Sequence, residues 1–195
     1  MRSPSHCAAA ILFAISLSAM CAPAPDPFGV DLQGHPIRQL TGPGIRGVVL
    51  IFAATDCPIS NRYVPEVARL NREFANQGVR FWWVFPNPGD TASVVKQHDH
   101  DFSISESALL DPQQNLVRMA HATVTPEAAL FMVEGGELHE VYDGRIDDRY
   151  ISLGQEKPLA QHHELEAAIA DAIASKPVPK PGGPPVGCSI VFLQP

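Results

Sequence analysis

Cysteine is scarce in this chain: four in 195 residues, Cys7, Cys21, Cys57 and Cys188. No two of them form a Cys-x-x-Cys pair, which excludes a zinc ribbon or finger and a local two-cysteine redox loop. Basic charge is short as well. Fourteen Lys and Arg face 21 Asp and Glu, for a net charge of −7, and no basic cluster marks a nucleic-acid footprint. After the first two dozen residues no apolar run approaches the roughly 20 residues of a membrane-spanning helix. There is no internal repeat and no heptad run, so solenoids and coiled coils are excluded.

What is present begins with an address. Arg2, the apolar stretch Cys7 to Met20 and the small residues after it have the layout of a signal peptide over residues 1–22, ended by Pro23, Pro25 and Pro27. Cleavage after Ala19 or Ala22 satisfies the small-residue rule. Ser18-Ala19-Met20-Cys21 is also an imperfect lipoprotein signal, in which Cys21 would carry a lipid anchor. The mature chain is expected to be exported, periplasmic or secreted, where disulfides persist. Cys57 and Cys188 are then the cysteines of its body.

The organising stretch is Val48 to Phe74. Val48-Val-Leu-Ile-Phe-Ala-Ala54 has the length and β-branching of a buried strand. Thr55-Asp56-Cys57-Pro58-Ile59-Ser60 breaks it, and from Ser60 the period becomes helical, with Val64, Val67, Leu70 and Phe74 on one face. A cysteine between a buried strand and a first helical turn lies beside unpaired N–H groups at the positive end of the helix dipole, which favours thiolate. Cys57 is therefore the candidate nucleophile. The plainer reading is a small apolar residue packed at a strand end.

Phe28 to Leu40 reads as a hairpin turning at Gln33-Gly34. Asn76-Gln77-Gly78 stops the long helix, and Val79 to Phe85 is the next buried strand, its Trp82 and Trp83 on opposite faces. Strand, helix and strand with short links make a right-handed parallel unit. Asp90 caps a second helix to about Asp101. Ser107 to Asp111 is a short strand and Asn115 to His121 a short helix or turn. Ala128 to Glu134 and Glu137 to Tyr142 form a hairpin about Gly135-Gly136. A polar loop, Asp143 to Arg149, leads to an amphipathic helix from His162 to Ala174. Lys176 to Gly187, rich in proline and glycine, is an extended arm. The divisions are thus a signal over 1–22, one domain over 23–175 and an arm over 176–195 that carries Cys188.

These elements in this order resemble the thioredoxin fold over roughly Phe28 to Ala174. Phe52 to Ser60 resembles the active-site segment, with Cys57 in the place of the attacking cysteine; Pro65 matches the proline of the active-site helix, and Thr125-Pro126 matches the cis-proline loop. Cys57-Pro58 with Tyr63 and Pro65, Tyr142 to Asp148 and Val186-Gly-Cys-Ser-Ile190 are similar to the redoxin or AhpC/TSA (peroxiredoxin-like) branch of exported bacterial proteins. The resemblance implies an α/β fold: a central mixed β-sheet flanked by helices, with an N-terminal hairpin and a C-terminal arm. It implies a thiol-dependent oxidoreductase whose active-site loop includes Thr55, Pro58, Ser60, Thr125 and Pro126, acting on a protein dithiol or disulfide or on peroxide, with no cofactor. Three positions depart from the pattern. Ser60 stands where thioredoxins have their second cysteine, Ile51 where they have a buried carboxylate, and Ala54 where peroxiredoxins carry a peroxide-binding hydroxyl. Disulfide exchange is accordingly expected over peroxide reduction.

A Cys57 thiolate that attacks a disulfide or peroxide must then be resolved, and Cys188 is the intramolecular candidate. A dozen extended residues span about 35 Å, enough for the arm to reach. The alternative is a binding module without catalysis, with Cys57 and Cys188 joined as a structural staple. His98, His100, His162 and His163 read as exposed helix-end residues, and no metal is expected. His121 is a candidate to approach Cys57, but a Sco-type copper site also needs a second nearby cysteine, which this segment lacks. Asp147 and Asp148, beside Arg145 and Arg149, read as surface ion pairs.

Overall fold

The computed structural model describes residues 26–193; the expected signal and Cys21 lie outside them. β3 (Gly47–Phe52) is central, parallel to β4 (Val79–Phe85) on one side and antiparallel to β7 (Glu127–Glu134) on the other. β5 (Ser107–Leu110) continues parallel beyond β4. The antiparallel pair β1 (Gly29–Asp31) and β2 (Pro36–Ile37) closes that edge, and β8 (Glu137–Gly144) closes the other. The order is β2-β1-β5-β4-β3-β7-β8. This is the mixed sheet expected from the sequence, and the fold is thioredoxin-like.

Strand alternation sorts the core into two layers. Val49, Ile51, Phe81, Trp83 and Phe85 face α1 (Pro58–Phe74) and α4 (Glu164–Ile173). Val48, Leu50, Phe52, Trp82 and Val84 face α3 (Asn115–Met119). β3 reads as an unbroken apolar run because both its faces are covered. Both tryptophans are buried, as expected, and Trp82 donates to the Leu40 carbonyl. Gly78 ends the turn after α1 with φ 82°, and a Cβ there would lie 2.6 Å from the Gly44 carbonyl oxygen. No helix among the described residues is long and apolar enough to cross a membrane.

Several details differ from the sequence reading. α1 starts at Pro58, two residues early, because proline suits the first helical position. α2 (Ala92–Phe102) is capped by Thr91, whose hydroxyl accepts from Val94 N–H, and not by Asp90. Asp147 and Asp148 are buried. Asp147 accepts from the Tyr63 hydroxyl and Arg149 N–H. Asp148 pairs with Lys157 and accepts from Gln161 and His162 N–H. Arg145 and Arg149 pair instead with Glu164 and Glu156. A small hairpin, β9 (Tyr150–Ser152) and β10 (Gln155–Glu156), occupies the segment after this loop.

The arm is the largest difference. It is docked. β11 (Cys188–Ser189) pairs antiparallel with β6 (Val124–Thr125). Ile190 is buried in the second core layer, Val191 N–H donates to Asn87, and Gln114 bonds both Val191 and Leu193. Proline and glycine favour the extended backbone; the apolar Val178, Val186 and Ile190 give it somewhere to lie.

Asp111 shows how one carboxylate holds a short helix. Fully buried, it accepts the N–H groups of Asn115, Leu116 and Val117 at 2.7, 2.9 and 3.0 Å. Asp111→Ala orphans all three and is expected to cost about 2–4 kcal/mol in urea unfolding; a loss below about 0.5 kcal/mol would contradict this role.

Candidate functional site

Cys57 is the residue immediately before α1, with extended backbone (φ −84°, ψ 110°) and Pro58 at the first helical position. No acidic residue lies in the first turn, so nothing there opposes a negative charge at the helix start. The side chain is fully buried, and its thiol donates to the Thr125 carbonyl at 3.0 Å. The Thr125-Pro126 bond is cis. Glu127, itself buried, accepts from Thr123 and Val124 N–H and shapes that loop from behind.

Strand pairing sets Cys188 opposite Thr125, and the Thr125 hydroxyl donates to the Cys188 carbonyl at 3.3 Å. Cys57, Cys188 and Thr125 therefore share one place, although 68 residues separate the first from the third. Burial pushes the Cys57 thiol up. Donation from the Cys188 thiol, from the Ser60 hydroxyl and N–H and from Cys188 N–H outweighs it, and the net effect is below an ordinary thiol. Cys188 moves the other way, to about 12, through burial and then the adjoining Cys57 sulfur. The pair divides into one thiol poised to ionise and one that holds its proton. Ser60 Oγ, buried and without a partner while Cys57 is protonated, is a donor waiting for the thiolate.

A polar network that the sequence reading did not assemble supports the loop. Asp90, buried, accepts Thr55 N–H at 3.0 Å and the Thr55 hydroxyl at 2.6 Å. Asn61 donates to the Thr55 carbonyl at 3.2 Å and accepts from His98 Nε2 at 2.7 Å. Thr55 thus holds the loop in place, and its hydroxyl is committed to Asp90. Burial pushes the Asp90 carboxyl up, against the Thr55 bonds that pull it down. His98 is buried, contrary to expectation; its spacing of three from the buried Val95 was the available signal. His121 is exposed, whereas Cys57 is fully buried with its thiol bonded to the Thr125 carbonyl. Glu66, His163 and Glu166 converge within 4.8 Å, but Arg69 bonds both glutamates and supplies the balancing charge.

Pro58 is exposed at the helix start. A cleft of about 430 Å³ beside Thr55 and Asp56 runs along Val94, His98 and Phe102. A larger one, about 760 Å³ between α4 and the arm, includes no residue of the Cys57 loop.

Alkylation read by mass spectrometry against pH should give Cys57 a midpoint below the roughly 8.5 of a free cysteine, with Cys188 reacting only in strong base. Cys188→Ala removes a donor and should raise the Cys57 midpoint. Equal midpoints for the two thiols would contradict this division.

No known protein-family model matches the chain. It is 27% identical over 123 residues to the thiol-disulfide oxidoreductase ResA of Halalkalibacterium halodurans, a match covering 62% of this chain and 66% of that protein. The chain thus aligns with just under two thirds of that relative's length. Among solved structures, an uncharacterized conserved protein from Geobacillus kaustophilus superposes with a TM-score of 0.71 at 23% identity, over 87% of this chain and 90% of that one. A hypothetical protein from Sinorhizobium meliloti superposes with a TM-score of 0.71 at 21% identity, over 87% and 92%. Both share the fold described above.

Proposed function

We propose that this protein is an exported thiol-disulfide oxidoreductase of the redoxin type, with Cys57 as attacking thiol and Cys188 as resolving thiol. The observation that carries the reading is the shared seat of the two sulfurs at Thr125, one with its thiolate favoured and the other disfavoured. The thiol-disulfide oxidoreductase name of the ResA relative supports it. The Cys57 thiolate attacks one sulfur of a partner protein's disulfide, giving a mixed disulfide and releasing the other sulfur as a thiolate that takes a proton. Cys188 then loses its proton and attacks Cys57 Sγ. The partner's second thiol leaves, and the Cys57–Cys188 bond holds the two electron equivalents of oxidation until an external dithiol reduces it. The same steps in reverse oxidise a partner dithiol.

Two features favour disulfides over peroxide as substrate. Ala54 offers no hydroxyl three residues before Cys57, and the Thr55 hydroxyl is held by Asp90. Residues 1–22 are read as the export signal, with Cys21 as a lipid anchor if cleavage precedes it, and 23–175 and 176–195 as domain and arm. A second reading, a binding module stapled by a Cys57–Cys188 bond, is favoured by the anchoring of the arm beyond Cys188 at Ile190 and Gln114.

Reduction of an insulin disulfide by dithiothreitol, with and without the protein, tests these readings. Cys57→Ser should abolish catalysis, and Cys188→Ser should slow turnover by about tenfold or more while the mixed disulfide accumulates. Hydrogen peroxide should be consumed only at the background rate. Full activity in Cys57→Ser would overturn the proposal.

A further inference from the structure

β11 is a strand of only two residues, and the surface it covers is the one an incoming disulfide must reach. Cys188 lies opposite Thr125, whose carbonyl accepts the Cys57 thiol. Cys57 is fully buried with β11 in place. A second extended segment cannot take this edge of β6 until β11 leaves. The fit at this edge is also unusually close: a Cβ on Gly187 would stand 2.2 Å from the Thr125 carbonyl oxygen, 2.6 Å from its carbon and 3.0 Å from Pro126 N. These are backbone atoms of a buried loop, so a side chain at the position before the cysteine has nowhere to go.

We propose that the β6 edge holds one cysteine-bearing strand at a time, either β11 or an extended segment of the partner protein, and that it selects a partner cysteine preceded by glycine. This rests on the redox reading above and specifies its partner. In its free form the protein presents its own Val186-Gly-Cys-Ser-Ile190 to Cys57. A partner strand displaces β11 and offers its disulfide to the Cys57 thiolate; its outer sulfur leaves as a thiol, and the mixed disulfide forms. When β11 returns to β6 it evicts the partner strand and brings Cys188 against Cys57 Sγ. The mixed disulfide breaks, the partner's cysteine departs as a thiol, and the Cys57–Cys188 bond forms. Eviction and resolution are one movement. Ile190 and the Gln114 bonds keep the returning strand close, because they tether the tail on the far side of Cys188.

The test uses the full chain carrying Cys188→Ser, so that mixed disulfides persist. Two probes are synthetic peptides, Val-Gly-Cys-Ser-Ile and Val-Ala-Cys-Ser-Ile, each with its cysteine joined to a chromogenic nitrothiophenol. The third is oxidised glutathione, which needs no strand pairing. The glycine peptide should react with Cys57 about tenfold or more faster than the alanine peptide, a difference of roughly 1.4 kcal/mol in barrier. Adding Gly187→Ala, which should loosen β11, should accelerate the glycine peptide and leave the ratio of the two peptides unchanged. Equal rates for both peptides, with glutathione reacting normally, would overturn the strand-exchange proposal and leave the redox reading intact. Failure of all three probes would overturn both. In the parent chain, Cys57–Cys188 bonds between molecules in place of bonds within one would assign the edge to a second copy and also overturn it.

Discussion

The carbonyl of Thr125 is the atom on which the site depends. It accepts the Cys57 thiol, it is the surface that Gly187 must lie against, and its residue holds Cys188 through both strand pairing and a hydroxyl bond. A carbonyl is an acceptor only, so it steadies the protonated sulfur and offers nothing to the thiolate. Stabilisation of the charged form comes from elsewhere: Ser60, Cys188 and the N–H groups at the start of α1. Ionisation of Cys57 therefore exchanges one set of partners for another. Burial alone would raise the thiol's pKa, and the donors bring it below that of an ordinary thiol.

Each of those partners is fixed by the sheet. β3 delivers Cys57 to the start of α1, and β7, antiparallel beside it, brings the Thr125-Pro126 loop to the same end. The Asp90 carboxylate arrives from the turn after β4, the strand on the other side of β3. The short link between β3 and α1 is held by main-chain and side-chain bonds from Asp90 and Asn61, so the Cys57 thiol is positioned by neighbours packed on all sides. Such a site resists distortion because packed interiors transmit displacement poorly into open space and readily into clashes.

The strand-to-helix hinge at Cys57 was legible in the sequence because its signals are local: a doubly buried apolar run, a proline and a change of period. The cis bond before Pro126 and the mixed sheet followed from the resemblance, and the parallel pairing of β3 with β4 from the short strand-helix-strand links; the order of the outer strands was not legible. The docked tail was not legible. Its composition is that of an extended arm, and what binds it lies 63 residues away in sequence, at a carbonyl that tolerates only glycine beside it. Asp147 and Asp148 were misread for a related reason. Their immediate neighbours are arginines, yet their partners, Tyr63, Lys157 and the N–H groups before α4, come from other segments. His98 and Asp90 belong to the same class. Local pattern shows where polar residues stand along the chain, and only the fold shows which of them are enclosed together.

The central claim is that Cys57 and Cys188 form a working pair. The direct measurement is a redox titration of the full chain against dithiothreitol, with the Cys57–Cys188 peptide quantified by mass spectrometry at each potential. The account predicts one reversible two-electron transition between dithiol and intramolecular disulfide, at potentials that physiological dithiols reach. A bond that survives full reduction of the surrounding dithiol pool, or the absence of any bond between the two residues on oxidation, would contradict it.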